Sequence, residues 1–227
     1  MSLDKLIIGI TTCPRVNGED RLTETVASLR QAGFADDIVV FSEPSDGVVA
    51  GDYEIVHRKE RLGVNGNWYQ ALLDLLDRST AKTHIMICQD DVRFSAGLRN
   101  YMNIHFKSKF KGMYTLYTSG LRFDWSRPVG WNKMVPDPAI GVPGALSFLF
   151  PREIAKQLAS SVRNNMPDAG AIHIDNEVGK WLGANGYTVQ YHLPSLAQHT
   201  GDNVSTIYKN VPKNAGRVAP GFVQKIM

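Results

Sequence analysis

Residues 83–94 read Thr-His-Ile-Met-Ile-Cys-Gln-Asp-Asp-Val-Arg-Phe, and the rest of the chain is organised around them. Ile85, Met86, Ile87 and Cys88 make a short unbroken apolar run, the pattern of a strand buried on both faces in a parallel sheet. The run ends in two adjacent carboxylates, Asp90 and Asp91. Open α/β sheets bind ligands in the crevice beyond the carboxyl ends of their strands. Carboxylates placed there can hold a hard divalent cation, which in turn can neutralise a diphosphate. The competing reading is a strand end whose aspartate caps the next turn or helix.

Upstream, residues 6–11 are a strong first strand, and Thr11-Thr12-Cys13-Pro14-Arg15 then leaves the sheet. Thr11, Thr12 and Arg15 are candidates for a nucleotide-facing loop; a polar turn with a solvated arginine is the alternative. Leu22, Val26 and Leu29 recur at helical spacing, and Gly33 follows where a helix would stop. Residues 37–41 are a second strand, ending at Ser42 and Glu43. Strand, helix, strand is the βαβ unit of a nucleotide-binding half. A weaker strand is expected over residues 53–57. Gly63, Asn65 and Asn67 then precede a helix whose stripe of Trp68, Leu72, Leu75 and Leu76 reads as core. Backbone N–H groups at such a helix start favour an anion or a nucleobase carbonyl. The alternative is a glycine turn with Asn65 or Asn67 as N-cap.

Downstream, a helix is expected over residues 96–106 and a strand over 112–118, with Lys107, Lys109 and Lys111 forming a basic stretch between them. Residues 119–143 hold Trp125, Trp131, prolines and glycines without periodicity. A loop this long inside a domain is usually functional or mobile; its tryptophans either stack on a sugar or base or plug the loop's underside. Residues 144–150 are a strand, and Pro151 opens a helix with Ile154, Leu158 and Val162 as its core face. A last helix carries Val178, Trp181 and Leu182 and stops at Asn185-Gly186, before a strand over 187–192. Residues 203–227 contain four Lys/Arg and no Asp or Glu, and read as a flexible or ligand-ordered tail.

The 227 residues suit one large α/β domain, with a hydrophobic fraction of 43% and a charged fraction of 21% that are ordinary for a globular protein. A net charge of +3 is compatible with anionic ligands and too small to demand nucleic acid. Cys13 and Cys88 form no disulfide framework or zinc spacing. The start of the chain runs directly into a strand with no secretory h-region, and no apolar run approaches a membrane span. A reducing, cytoplasmic location is expected.

In their order along the chain these motifs resemble those of the GT-A-fold glycosyltransferases, enzymes that use nucleotide-sugar donors on one Rossmann-like domain. The carriers are Thr11 to Arg15 after the first strand, Gly63 to Trp68 before a helix, Gln89-Asp90-Asp91 in the place of the DxD motif, and Ile174-Asp175-Asn176-Glu177-Val178-Gly179. The last of these resembles the acidic motif opening the helix that bears the catalytic base. Pro194-Ser195-Leu196-Ala197-Gln198-His199-Thr200-Gly201, with Ser205 beyond, looks like the C-terminal segment in which a histidine completes the metal site. The resemblance spans most of the chain; each motif is short, and their order carries more than any one of them. Gln89 replaces the first acid of the DxD motif, and Ile174 replaces the glutamate that often precedes the base.

The resemblance implies an α/β fold: a single Rossmann-like GT-A domain with a mixed, mostly parallel sheet flanked by helices. Residues 1–110 would form the nucleotide-binding half, 111–202 the acceptor and catalytic half, and 203–227 the tail. It implies a nucleoside diphosphate sugar, a UDP-sugar by family analogy, as donor, and a glycan or other hydroxyl compound as acceptor. Asp91 and His199 would hold Mn²⁺, or Mg²⁺, with the imidazole favouring Mn²⁺. Thr11, Thr12, Arg15, Glu43, Gly63, Asn65, Asn67, Gln89, Asp90 and Ser205 would contact the donor. Asp175, or Glu177 in its place, would be the general base of an inverting transfer, while a helix-capping aspartate remains the alternative for Asp175. Other readings are glycosylation of a modified base in DNA, which makes nucleic acid a partner, nucleotidyl transfer, and nucleotide-sugar binding without catalysis.

Overall fold

The structure is a computed structural model that describes residues 5–13, 20–34, 38–44, 51–79, 81, 83–105, 110–120, 123–163, 173–200 and 219–226. Its centre is an eight-stranded sheet. In chain order the strands and helices are β1 (Leu6–Thr12), α1 (Arg21–Gln31), β2 (Ile38–Ser42), β3 (Glu54–His57), α2 (Gly63–Arg78), β4 (His84–Gln89), β5 (Val92–Phe94) and α3 (Leu98–His105). They continue with β6 (Gly112–Thr115), β7 (Gly130–Met134), β8 (Ser147–Pro151), α4 (Arg152–Arg163), α5 (Ile174–Ala184), β9 (Thr188–Leu193) and β10 (Ala197–His199). The sheet order is β3-β2-β1-β4-β8-β6-β9-β7, and β5 pairs with β10 in a separate ribbon. Only β8 and β7 run against the other six strands of the sheet. This is the mixed, mostly parallel α/β architecture expected from the sequence.

The unbroken apolar strands are buried on both faces because helices cover both faces. Alternate residues feed two cores. Ile7, Phe41, Ile85, Ile87, Phe148 and Phe150 face α2, α4 and α5. Ile8, Ile10, Val40, Met86, Cys88 and Leu149 face α1 and α3. Trp68 lies fully buried in the first core, edge-to-face with Tyr69, Phe148 and Phe150. Gly9 lets α2 come down on β1, since a Cβ there would lie 2.6 Å from Leu75 Cδ1.

Several local features differ from expectation: β5 and β10 pair where no strand was expected, β6 ends at Thr115 and β8 begins at Ser147. Pro151 is the last residue of β8, paired with His84, and α4 begins one residue later. The stretch 119–143 contains β7, which joins the sheet through β9. Its tryptophans pack inward on opposite sides: Trp125 against the first core, its Nε1 donating to Ser119 O at 3.0 Å, and Trp131 edge-to-face with Tyr114 and His192. The far end of the tail, residues 219–226, is docked, so the flexible reading does not extend to it. Ala96 N donates to Gln224 O at 2.8 Å, Ile226 N to Ala96 O at 3.1 Å and Ala219 N to the Gln198 side chain at 3.2 Å. Among the described residues, no helix is long and apolar enough to cross a membrane.

His84, at the start of β4, is 4% exposed, and burial pushes its pKa down to about 4. The folded value lies below the unfolded one, so the unfolded chain binds the proton first as pH falls. Stability contributed by the neutral imidazole is therefore complete above about pH 6.5 and is lost as pH falls from there toward 4, by about 3 kcal/mol in all. Urea unfolding midpoints should drop between pH 7 and pH 4.5. The drop should shrink in His84→Gln; an unchanged slope in that variant would contradict the assignment.

Candidate active site at the carboxyl edge of the sheet

β2, β1 and β4 are neighbours and parallel, so their carboxyl ends form one row. The register sets Thr12 opposite Ser42 and Thr11 opposite Gln89. Thr11, Thr12, Glu43, Gln89, Asp90 and Asp91 are thereby collected on one edge. Thr12 Oγ1 donates to Asp90 Oδ2 at 2.6 Å, and Thr11 Oγ1 to Cys88 O at 3.4 Å. Asp90 and Asp91 are both buried.

Asp91 and His199 come together across the β5–β10 ribbon, whose register pairs Val92 with His199. His199 Nε2 lies 3.2 Å from Asp91 Oδ2, and both side chains are more than nine-tenths buried. Thr200 N donates to Asp91 O at 2.8 Å, which fixes the two backbones together. Two ligands on adjacent positions of one cation, each about 2.1 Å from it, stand about 3 Å apart. The carboxylate–imidazole pair therefore fits a divalent cation in spacing and in donor type. Among the described residues no group of three His, Cys, Asp or Glu converges on one point. The remaining coordination would have to come from water or from the ligand's own oxygens.

The segment carrying Asp91 is held from below by α1. Thr25 Oγ1 donates to Asp90 O at 2.7 Å and accepts from Val92 N at 3.1 Å, so one hydroxyl clamps the backbone on both sides of Asp91. Ser28 Oγ continues the ladder, accepting from Phe94 N at 3.2 Å. These two hydroxyls stand in for a strand neighbour that β5 lacks on that side. Sequence reasoning missed them: Thr25 and Ser28 sit beside the Leu22, Val26, Leu29 stripe as ordinary polar residues, and their role depends on β5. Thr25→Val keeps the volume and strands two buried backbone groups, a cost of about 1–3 kcal/mol. It is expected to lower the urea midpoint and weaken Mn²⁺ binding together, with Thr25→Ser restoring both. Full Mn²⁺ affinity in the valine variant would show that the clamp does not position Asp91.

Glu43 ends β2, buried, with Leu62 N donating to its Oε2 at 3.0 Å. Burial raises its pKa, opposed by that N–H and by Arg61 and Arg58. Its other oxygen, Oε1, is buried without a hydrogen-bond partner. Gly63 takes φ +72° at the start of α2, a conformation that favours glycine. The N-cap is Leu62, with no side-chain cap, so neither Asn65 nor Asn67 caps the helix. Asn65 is half-buried in the first turn. Asn67 is buried; its amide donates to Phe41 O at 3.0 Å and its oxygen accepts from Arg58 Nε at 2.8 Å, which ties α2 to the end of β2.

Asp175 occupies the first turn of α5, whose N-cap is His173. Its Oδ2 accepts from Gly144 N at 2.7 Å and its Oδ1 from Asn176 N at 3.0 Å. Gly144 is two residues from Leu146, whose carbonyl accepts from Gln89 N at 3.1 Å. Two residues span at most about 7 Å, so the Asp175 carboxylate is tied to the same sheet edge as the Gln89–Asp91 turn. Close backbone packing keeps it there: a Cβ on Gly141 would lie 2.3 Å from Asn176 O, and one on Gly179 would lie 2.1 Å from Val142 N. Glu177 instead pairs with Lys180 at 3.1 Å on the flank of α5, close enough to Tyr69 to add to the upward shift that burial gives that phenol. Arg15 and Ser205 lie outside the described residues, as do Lys107 and Lys109.

No protein-family profile and no curated protein sequence matches the chain. Solved structures do. One is GalNAc-T7 with UDP, GalNAc and Mn²⁺, at TM-score 0.62 and 12% identity, covering 92% of this chain and 45% of that one. Another is a Bacillus anthracis protein described as a glucose-1-phosphate thymidylyltransferase, in complex with a sucrose, at TM-score 0.52 and 14% identity, covering 86% of this chain and 89% of that one. The chain thus spans less than half the length of GalNAc-T7 and nearly the whole length of the second. At these identities the likeness is one of fold, and the fold is the GT-A-like α/β sheet with helices on both faces.

Proposed function

We propose that the chain is a metal-dependent glycosyltransferase, moving a sugar from a nucleoside diphosphate sugar, of the UDP class, to a hydroxyl acceptor with inversion. The observation that carries the reading is the buried Asp91–His199 pair at the carboxyl edge of the sheet, 3.2 Å apart. The unpartnered Glu43 Oε1 on the same edge adds an acceptor for a hydroxyl or N–H of the nucleoside. The neighbour solved with UDP, GalNAc and Mn²⁺ has the same fold.

A divalent cation bound there would neutralise the diphosphate as it leaves. Asp91 and His199 would hold that cation, with Thr25 and Thr200 keeping their backbones fixed. Asp90, engaged by Thr12, and the N-terminus of α2 would line the nucleotide side. Asp175 would take the proton of the acceptor hydroxyl as its oxygen bonds to the anomeric carbon. The bond from that carbon to the diphosphate oxygen breaks, and its electron pair leaves with UDP. Both Asp175 oxygens already accept backbone N–H bonds, which fixes the carboxylate while each oxygen keeps a lone pair for the incoming proton.

The test is UDP release from a panel of UDP-sugars in Mn²⁺, with glycan and small hydroxyl acceptors. Metal-dependent UDP release with one sugar supports the reading. Pyrophosphate release from a nucleoside triphosphate and a sugar phosphate, with no UDP release, would replace it with nucleotidyl transfer.

A further inference from the structure

β7 is the outermost strand of the sheet, and its free edge carries no strand among the described residues. The sequence through it is Arg127-Pro128-Val129-Gly130-Trp131-Asn132-Lys133-Met134-Val135-Pro136-Asp137. Its two ends are mirrored about Asn132. Counting outward in either direction, the third residue is valine, the fourth is proline, and the fifth is a charge, Arg127 on one side and Asp137 on the other. Val129, 84% exposed, and Val135, 71% exposed, are the two most exposed large apolar side chains described.

Flanks mirrored in this way meet their counterparts when the strand between them pairs antiparallel with its own copy. A two-fold axis through Asn132, the middle residue of β7, brings the flanking Val129 and Val135 together twice and the flanking Arg127 and Asp137 together twice, at the two ends of the paired strand. This is the isologous arrangement a two-fold interface requires, in which residue i meets j and j meets i. Valine pairs and opposite charges both stabilise cross-strand neighbours. A slip of one residue removes both matches. The prolines lack an N–H and so bound the ladder to the stretch between them. Prolines and a lysine also serve to keep an edge unpaired. That role alone accounts neither for two exposed valines at equal distance from Asn132 nor for opposite charges beyond them. Both charges are exposed: Arg127 makes a surface pair with Asp124 at 2.9 Å, and Asp137 Oδ1 accepts from Ala139 N at 2.7 Å.

We propose that the β7 edge is the interface of a two-fold dimer, its occupant being β7 of a second copy of this chain, so that the sheet continues across the axis. The inference stands apart from the nucleotide-sugar reading. The experiment is sedimentation equilibrium of the full chain over a range of concentrations, with circular dichroism to confirm that each variant is folded. The wild type is expected to dimerise reversibly, and Val135→Lys to be monomeric. Arg127→Asp and Asp137→Arg each place like charges across the axis and should weaken the dimer about tenfold or more. Mixed in equal amounts, these two variants restore both opposite-charge pairs and should form a one-to-one heterodimer. A wild type that is monomeric throughout, a dimer that Val135→Lys leaves unchanged, or a mixture that does not associate overturns the proposal.

Discussion

Asp91→Asn is expected to remove the metal-dependent part of UDP binding while leaving the weak binding seen in EDTA unchanged. Asparagine keeps the shape and gives up the charge that a hard cation requires. Loss of an outer-sphere partner alone costs about 10- to 100-fold in metal affinity, so loss of a ligand should cost more than about 100-fold, or about 2.7 kcal/mol. His199→Ala should have the same signature. If the two side chains share one cation, the double variant will be little worse than either single one, because neither retains an interaction for the other to lose. A structural Asp–His pair behaves differently. Its removal lowers the unfolding midpoint and leaves the ratio of UDP affinities in Mn²⁺ and EDTA where it was. That ratio, measured beside stability, separates the two roles.

Asp175→Asn is expected to bind donor normally and to transfer about 10²- to 10⁴-fold more slowly, the usual weight of general base catalysis. The amide oxygen can still accept from Gly144 N, which keeps the tie to the sheet edge, while the bond from Asn176 N is given up. The lost step is proton removal from the acceptor. Donor affinity and turnover therefore separate in this variant, whereas Asp91→Asn loses both. Full turnover in Asp175→Asn, with loss in Glu177→Gln, would move the base to Glu177. Full turnover in both would remove the inverting mechanism.

Much of this edge was legible in the sequence because its signals are local. Buried parallel strands announce themselves as unbroken apolar runs, and Leu6 to Thr12, Ile38 to Ser42 and His84 to Gln89 do so without help from partners. The stripes of α1 and α2 follow from spacing alone. β7 was not legible: Asn132 and Lys133 interrupt any alternation, Gly130 weakens the strand, and flanking prolines read as loop. Its pairing with β9 decides its structure, and that pairing is non-local. The β5–β10 ribbon is three residues a side, below the length at which a pattern can be recognised. It is made by segments far apart in sequence: Ser95 Oγ donates to Leu196 O across 101 residues.

The same distinction governs the site. The Gln89-Asp90-Asp91 turn is visible as carboxylates at a strand end, and Asp175 as an acid at a helix start. That His199 meets Asp91 followed only from the order of motifs, and its physical cause is the ribbon. Asn67 illustrates the converse. Its place beside a glycine turn suggested ligand contact or capping, whereas burial under Phe41 and Arg58 has taken up its amide and its oxygen. Thr25 carries no motif at all. Its role comes from the missing strand neighbour of β5, which no reading of α1 by itself could supply.

The central claim, a cation shared by Asp91 and His199 that receives a nucleoside diphosphate, is tested most directly by calorimetric titration of the wild-type chain with UDP, GDP and ADP, in Mn²⁺ and in EDTA. Saturable heat is expected with UDP in Mn²⁺, collapsing in EDTA. Equal UDP binding in Mn²⁺ and EDTA, or no binding of any of the three at millimolar concentration, would contradict it.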